Sequence, residues 1–232
     1  VWERSLDHTV GVGEGNLGHT VGVGEGNLGH TVGEKGSGER GSGEGEPVRG
    51  VPETSDSAPL VVDLCAGSGS LAIAIARAVP EARVWAVEVD PTAARLAHRN
   101  AEGNGTSVVV LEGDAATALH ELDGRVDVVV ANPPYIPPDG VPRDPEVHRW
   151  DPPAALYGGG EDGLDVPRAV AATARRLLRP GGTFVMEHGD IQGAAVRRLV
   201  ESTGGFTMIE TRQDLTGRDR FVMARREREE RR

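Results

Sequence analysis

Short apolar runs alternate with helical patterns along most of this chain, and this alternation limits its fold more than any other feature. The apolar runs are β-branched and nearly continuous, which is typical of strands buried on both faces of a parallel sheet; they cover residues 60–64, 83–87, 107–111, 126–131 and 183–187. Helical patterns lie between them, at residues 71–79, 91–104, 166–178 and 191–202. The alternation predicts an α/β fold, a doubly wound and mostly parallel sheet that binds ligands at the carboxyl ends of its strands.

Proline, glycine and aspartate mark the ends of the predicted helices. Asp90 and Asp190 each precede a helical pattern and are predicted to cap it. The Pro-Gly-Gly segment at 180–182 is predicted to end a helix before the strand at 183–187, and Gly204 is predicted to close the last helix.

The first 46 residues differ in composition from the rest. The string HTVGVGEGNLG at residues 8–18 recurs at 19–29 and begins again at His30. Its few Val and Leu residues cannot compensate the ordering entropy of so much glycine, so residues 1–46 are predicted to be a disordered leader. Residues 47–226 are then predicted to form one globular domain, and residues 227–232 a charged tail.

Charge and composition exclude several classes of protein. The formal net charge of -11 argues against a dedicated nucleic-acid binder, and 3% aromatic residues leave little material for base stacking. The single cysteine fits a reducing compartment. Because no long apolar run and no signal-peptide pattern is present, a cytoplasmic protein without membrane contact is predicted.

A small-residue loop follows the first predicted strand. The sequence DLCAGSG at residues 63–69 lets the backbone approach a ligand at a helix N-terminus. The second strand ends at Glu88, about where nucleoside-binding α/β proteins hold ribose hydroxyls. The loop itself fits a dinucleotide or S-adenosylmethionine equally well.

The fourth strand runs into Asn132-Pro133-Pro134-Tyr135, which discriminates between these ligands. Two prolines remove backbone donors and stiffen the segment, so carbonyl oxygens and the Asn132 side-chain oxygen are left as acceptors for an NH₂ group. The nitrogen of a planar amide or arylamine is a poor nucleophile, and two acceptors orient its lone pair toward an electrophile. Tyr135 is predicted to pack against the flat group that carries this nitrogen.

These motifs resemble those of the class I S-adenosylmethionine-dependent methyltransferases, which have a seven-stranded Rossmann-like sheet. Within them, DPPAALYGGGEDGL at 151–164, PGG at 180–182, MEHGDIQ at 186–192 and DLTGRDRF at 214–221 are similar to segments of the release-factor glutamine N5-methyltransferases, with one extra residue in the glycine run. The resemblance covers about residues 48–226. It implies transfer of a methyl group to the glutamine of the Gly-Gly-Gln loop in class I peptide-chain release factors.

The resemblance also assigns roles to individual residues. S-adenosylmethionine, converted to S-adenosylhomocysteine, is expected to be the cofactor, with no metal. Substrate-binding and catalytic roles fall on Asn132, Pro133, Pro134 and Tyr135. The residues expected to bind the cofactor are Asp63, Cys65, Ala66, Gly67, Ser68, Gly69, Glu88, Asp114, Ala115 and Asn132. Asp63 is equally well interpreted as a structural acceptor beneath the loop.

The chain departs from the family at its beginning. Residues 1–46 stand where the family has a helical recognition domain, so either the start of the chain is divergent or recognition of the release factor is weakened. Two alternatives stay open: a DNA or RNA amino-methyltransferase with the same chemistry, and an inactive module that binds the cofactor. A monomer that acts on a protein substrate, without direct contact to nucleic acid, is expected.

Overall fold

The computed structural model describes residues 58–141 and 152–228. The predicted leader at 1–46 and the last residues of the predicted tail lie outside this part, so the domain bounds stay a prediction. The described strands are β1 (Leu60–Leu64), β2 (Arg83–Glu88), β3 (Val109–Glu112), β4 (Val126–Ala131), β5 (Leu178–Glu187), β6 (Phe206–Gln213) and β7 (Asp219–Arg226). The α-helices are α1 (Ser70–Ala78), α2 (Pro91–Gly103), α3 (Pro153–Leu156), α4 (Asp165–Leu177) and α5 (Gly193–Thr203).

The seven strands form one sheet in the order β3-β2-β1-β4-β5-β7-β6. The pairs from β3 to β5 are parallel, and β7 pairs antiparallel with both β5 and β6. The predicted α/β class and mostly parallel sheet are therefore confirmed. The order reverses between β1 and β4, and such a switch point is where open α/β sheets bind their ligands.

Helices cover both faces of the sheet because strand side chains alternate between two apolar clusters. In β1, Val61 packs with Ile73 of α1, whereas Val62 packs in the opposite cluster with Leu177 of α4 and Val196 of α5. All five residues of β1 are thus buried, on one face of the sheet or the other. Within the described residues, no helix is long and apolar enough to cross a membrane.

Of the two predicted aspartate caps, one is confirmed and one is wrong. Asp90 caps α2 as predicted, accepting from the N–H groups of Thr92 and Ala93 at 2.8 Å. Asp190 does not cap α5, since that helix begins at Gly193 after a turn in which the Gln192 N–H donates to the Gly189 carbonyl oxygen.

Two further corrections concern the bounds of strands β3 and β5. β3 begins at Val109 and not at residue 107, because pairing with β2 starts there. The Pro-Gly-Gly segment at 180–182, predicted to end a helix, lies inside β5, where the register against β4 shifts and the chain bulges. A proline without N–H and Gly181 at φ 81° suit such an irregular stretch.

Asp63 joins β1 to α1 through a buried carboxylate. Its side chain is 1% exposed, and Oδ2 accepts the backbone N–H of Ala72 at 3.1 Å. Burial raises the pKa of Asp63 to about 7; the Ala72 hydrogen bond opposes this rise and the charge of Glu88 adds to it. The geometry supports the structural interpretation of Asp63 as an acceptor beneath the loop, here from the first turn of the helix.

We expect Asp63→Asn to remove part of the pH dependence of folding stability. Because the folded-state pKa lies well above that of an unfolded aspartate, the folded chain keeps a proton that the unfolded chain loses between about pH 4 and pH 7. The free energy of unfolding of the wild type should fall through this window relative to that of the variant, and the difference should be constant at higher pH. Urea unfolding across the window measures it; a difference independent of pH would contradict the assignment.

Candidate functional site

Strand register aligns the predicted site residues along one edge of the sheet. Leu64 at the end of β1 lies opposite Val87 of β2 and opposite Ala131 of β4, and Ala131 lies opposite Met186 of β5. The residue that follows each of these stands at the carboxyl edge, in the spatial order Glu88, Cys65, Asn132, Glu187. The loop after β1 and the Asn-Pro-Pro-Tyr segment, which are more than 60 residues apart in sequence, are thus neighbours at the switch point.

Glycine is required in the loop after β1 for two different reasons. Gly67 has φ 56°, and a Cβ added to it would meet nothing within 4 Å, so only its backbone conformation excludes other residues. Gly69 has φ 79°, and a Cβ there would lie 3.1 Å from the Cβ of Ala97 on α2. The open space beside Gly67 allows a ligand to approach the loop backbone.

Glu88 holds this loop in shape. Its Oε2 accepts the N–H of Gly67 at 2.7 Å, and its Oε1 accepts the N–H of Asp90 at 2.9 Å. An ionised carboxylate has about four lone-pair sites, so each oxygen can accept one further hydrogen bond. The predicted contact with ribose hydroxyls therefore fits the geometry, although Glu88 also has a structural task.

Three acidic side chains, those of Glu88, Asp63 and Asp114, influence Cys65, which has φ 62°. Burial is the main cause that raises the pKa of its thiol to about 12, and the charges of Glu88, Asp63 and Asp114 add to it. The thiol therefore stays protonated at neutral pH and is no nucleophile. Acidic side chains at this loop suit a ligand that carries a positive charge, and the Asn-Pro-Pro-Tyr segment beside the loop separates the two ligands that the loop sequence left open.

The predicted adenine-side residues lie in a tight turn after β3. Asp114 Oδ1 accepts the N–H of Ala116 at 2.8 Å, and its carbonyl oxygen accepts the N–H groups of Thr117 and Ala118. Ala115 is buried, with 8% of its surface exposed. Asp114 thus has a turn-forming role in addition to its place beside Cys65.

Asn132 is exposed at the end of β4, while Pro133 next to it is buried. Across the described residues no hydrogen bond engages the Asn132 amide, in contrast to Glu88 and Asp63. A polar side chain that the fold does not use, beside a carboxylate-lined loop, is free to bind a substrate. The structure therefore brings Asn132 and the predicted cofactor loop together.

Tyr135 belongs to a chain of polar contacts that the sequence did not indicate. Its hydroxyl donates to Glu187 Oε1 at 3.2 Å, and Arg220 of β7 donates through Nε to Asp214 at 3.2 Å. Burial, followed by the charge of Glu187, raises the pKa of Tyr135, while nearby Arg220 lowers it less strongly. Tyr135 therefore stays protonated, and the strand-end carboxylate of Glu187 holds its hydroxyl.

The backbone of Ile136 pairs with the end of α3 and the segment that follows it. The Ile136 N–H donates to the Leu156 carbonyl oxygen at 2.9 Å, and the Gly158 N–H donates to the Ile136 carbonyl oxygen at 3.1 Å. A Cβ added to Gly158 would lie 2.6 Å from the Pro134 oxygen, and one added to Gly163 would lie 2.5 Å from the Tyr135 oxygen. Glycine at both places lets this segment pack directly on the Pro-Pro-Tyr backbone.

Gln192 is a further contact that sequence reasoning missed. Its side chain reaches Tyr135, Asp162 and Gly189, which lie in three different loops. Gln192 ends the MEHGDIQ segment at 186–192 that carries the resemblance, but the segment does not indicate which residues the side chain contacts.

His188 directly follows β5 at the carboxyl edge of the sheet. His188 is fully buried, with Nδ1 at 2.8 Å from the carbonyl oxygen of Gly189. The part of the chain that the structure describes contains no group of three or more His, Cys, Asp or Glu side chains arranged to hold a metal ion.

Comparisons with known proteins agree with this geometry. Residues 51–141 match the family model of the methyltransferase small domain. The release factor glutamine methyltransferase of Bifidobacterium longum is 42% identical over 175 residues, which cover 72% of this chain and 59% of that protein. The 4-amino-L-phenylalanine/4-methylamino-L-phenylalanine methyltransferase of Streptomyces pristinaespiralis is 51% identical over 156 residues, which cover 67% of this chain and 52% of that protein.

The chain thus spans between 52% and 59% of the length of these two curated relatives. Among solved structures, a methyltransferase from Pyrococcus furiosus has a TM-score of 0.57 at 17% identity, covering 73% of this chain and 76% of that structure, which shows the shared fold. The resemblance predicted from the motifs is confirmed by the sequence relatives. This chain belongs to the family of class I S-adenosylmethionine-dependent methyltransferases that includes the release factor glutamine methyltransferases.

Proposed function

We propose that this chain methylates the side-chain amide nitrogen (N5) of the glutamine in the Gly-Gly-Gln loop of class I peptide-chain release factors. The observation that carries the proposal is the exposed and unengaged Asn132 amide, which stands beside the carboxylate-lined loop at the switch point of the sheet. The curated relatives named as release factor glutamine methyltransferases, 42% and 48% identical to this chain, support this substrate.

The loop after β1 and the ends of β2 and β3 would hold the cofactor. Glu88 offers one free lone-pair site on each oxygen to the ribose, Asp114 and Ala115 would flank the adenine, and the backbone of 65–69 would lie along the amino-acid part. When bound, S-adenosylmethionine supplies an electrophilic methyl group on a cationic sulfur and leaves as S-adenosylhomocysteine. The carboxylates around Cys65 suit this positive charge.

The Asn-Pro-Pro-Tyr segment would orient the glutamine amide. Asn132 Oδ1 and a backbone carbonyl oxygen of the segment each accept one N–H of the amide, which directs the nitrogen lone pair toward the methyl group. As the N–C bond forms, the nitrogen loses one proton to water, which reaches the exposed Asn132. Tyr135, held by Glu187, packs its ring against the flat amide. No step of this mechanism needs a metal ion.

The partner in this proposal is a protein, and neither nucleic acid nor a membrane takes part. We propose that the chain acts as a monomer in the cytoplasm. The related release factor glutamine methyltransferases are longer than the part that this chain matches. That these 232 residues can bind a release factor is therefore itself part of the proposal.

A second candidate is methylation of a small arylamine such as 4-amino-L-phenylalanine. The observation that favours it is the 51% identity to the Streptomyces pristinaespiralis enzyme. An aniline nitrogen has a delocalised lone pair, as an amide nitrogen does, so Asn132 would orient it in the same way. A small substrate needs no docking surface for a protein.

The direct test is the mass of a purified class I release factor after incubation with this chain and S-adenosylmethionine, followed by peptide mapping. One added methyl group on the Gly-Gly-Gln glutamine supports the leading proposal. Methylation of 4-amino-L-phenylalanine in a parallel reaction, with an unmodified release factor, supports the second candidate. No transfer to either substrate, with cofactor binding intact, would contradict both.

We expect Asn132→Ala to lower kcat for methyl transfer by about 100-fold or more, because the amine loses its orienting acceptor. The Kd for S-adenosylmethionine, measured by calorimetry, should change less than about threefold, since Asn132 orients the substrate. Asn104→Ala, at the far end of α2, is the matched control and should keep full activity. Retained transfer by Asn132→Ala would refute the role of Asn132.

We expect Glu88→Gln to weaken S-adenosylmethionine binding by about tenfold or more, the equivalent of about 1.4 kcal/mol. Both carboxylate oxygens already accept an N–H, so a glutamine NH₂ group must face either Gly67 N–H or Asp90 N–H. Glu121→Gln, on the short 3₁₀ helix His120–Leu122, is the control with unchanged affinity. Equal Kd values for wild type and Glu88→Gln would show that Glu88 has only a structural task.

A further inference from the structure

The Gln192 side chain connects three loops at the edge of the sheet. Nε2 donates to the carbonyl oxygen of Tyr135 at 2.8 Å and to that of Asp162 at 3.1 Å. Oε1 accepts the backbone N–H of Gly189 at 3.0 Å. Both amide hydrogens and one acceptor site are therefore used, so the side chain has one defined orientation.

Two of the three partners have further contacts of their own. Asp162 Oδ1 accepts the Leu164 N–H at 3.1 Å, and its carboxylate pairs with Arg168 of α4 at 2.6 Å. Gly189 follows β5 directly after the buried His188. The third partner, Tyr135, ends the Asn-Pro-Pro-Tyr segment, so Gln192 ties this segment to α4 and β5.

The peptide group between Tyr135 and Ile136 is bound on both sides. Its carbonyl oxygen accepts from Gln192, and its N–H donates to the Leu156 carbonyl oxygen at 2.9 Å. Without Gln192 the Tyr135 carbonyl oxygen would lose this hydrogen bond, and the Ile136 N–H bond to Leu156 would be left to resist rotation of the peptide plane. Because two prolines stiffen the preceding residues, a rotation at Tyr135 is transmitted to Asn132 at the other end of the segment.

We propose that Gln192 is a positioning residue for methyl transfer, because it fixes the orientation of the Asn-Pro-Pro-Tyr segment and thereby of the Asn132 amide. This inference rests on the proposed function. The Asn132 side chain makes no hydrogen bond across the described residues, so the orientation of its amide depends on the backbone of the segment. A misplacement of the reacting group by about 1 Å can cost about 100-fold in rate.

The experiment compares Gln192→Leu with Gln213→Leu. The leucine at 192 removes three hydrogen bonds at similar side-chain volume, whereas Gln213 makes one exposed bond to Asp219. We expect Gln192→Leu to lower kcat by about 100-fold while KM and the cofactor Kd stay within about threefold. Gln213→Leu should behave like the wild type. An unchanged kcat in Gln192→Leu would overturn the proposal.

A second variant, Gln192→Glu, adds a pH-dependent measurement. A purely structural role of Gln192 would not change the pH dependence of activity. The carboxylate of this variant faces two carbonyl oxygens, and protonation at lower pH restores one O–H donor. The activity of Gln192→Glu relative to wild type at the same pH should therefore rise as the pH falls. A ratio that does not change with pH would count against the donor role of Gln192.

Hydrogen exchange of the Ile136 amide tests the inference without methyl transfer. We expect exchange at Ile136 to be about tenfold faster or more in Gln192→Leu, with unchanged exchange at Val62 in the core of the sheet. Equal exchange rates at Ile136 would overturn the proposal. If the wild type methylates neither substrate, the proposed function fails, and this measurement still shows whether Gln192 holds the loop.

Discussion

The pairing of β1 with β4 is the constraint on which the rest of the site depends. These strands are neighbours in the sheet although α1, β2, α2 and β3 separate them along the chain. Their register places Cys65 and Asn132 side by side after Leu64 and Ala131. A shift of one residue would exchange the two faces of β4 and give its buried valines different packing partners, so the close packing of the two clusters also sets this alignment.

Around this junction the polar residues divide into two kinds. Asp63, Glu88, Glu187 and Gln192 each accept or donate hydrogen bonds that hold loop backbone or a neighbouring side chain. Asn132 has no such task among the described residues. The first kind gives the site its shape, and the second is left for a substrate. Glu88 could combine both roles in the proposed site, since a carboxylate has more lone-pair sites than the loop occupies.

Sequence reasoning succeeded where a residue acts within its own segment. The strand runs, the Asp90 cap and the loop glycines depend on neighbouring residues, and the structure contains them. It failed where contacts cross between segments: Gln192 lies 57 residues from Tyr135, and Arg220 lies 33 positions beyond Glu187. The wrong prediction that Asp190 caps α5 has the same cause. The turn from Gly189 to Gln192 takes part in these loop contacts, so the helix begins only at Gly193.

In the proposed function, the acidic side chains near Cys65 would also affect turnover. Methyl transfer converts a cationic sulfonium into a neutral thioether, while the adenosine and amino-acid parts keep their shape. A loop that Glu88 already holds in place would bind both compounds with the same backbone contacts. Electrostatic attraction would then be the main difference between them, and it would weaken once the sulfur loses its charge. The acidic surroundings of the loop would thus favour exchange of the spent cofactor for a fresh one.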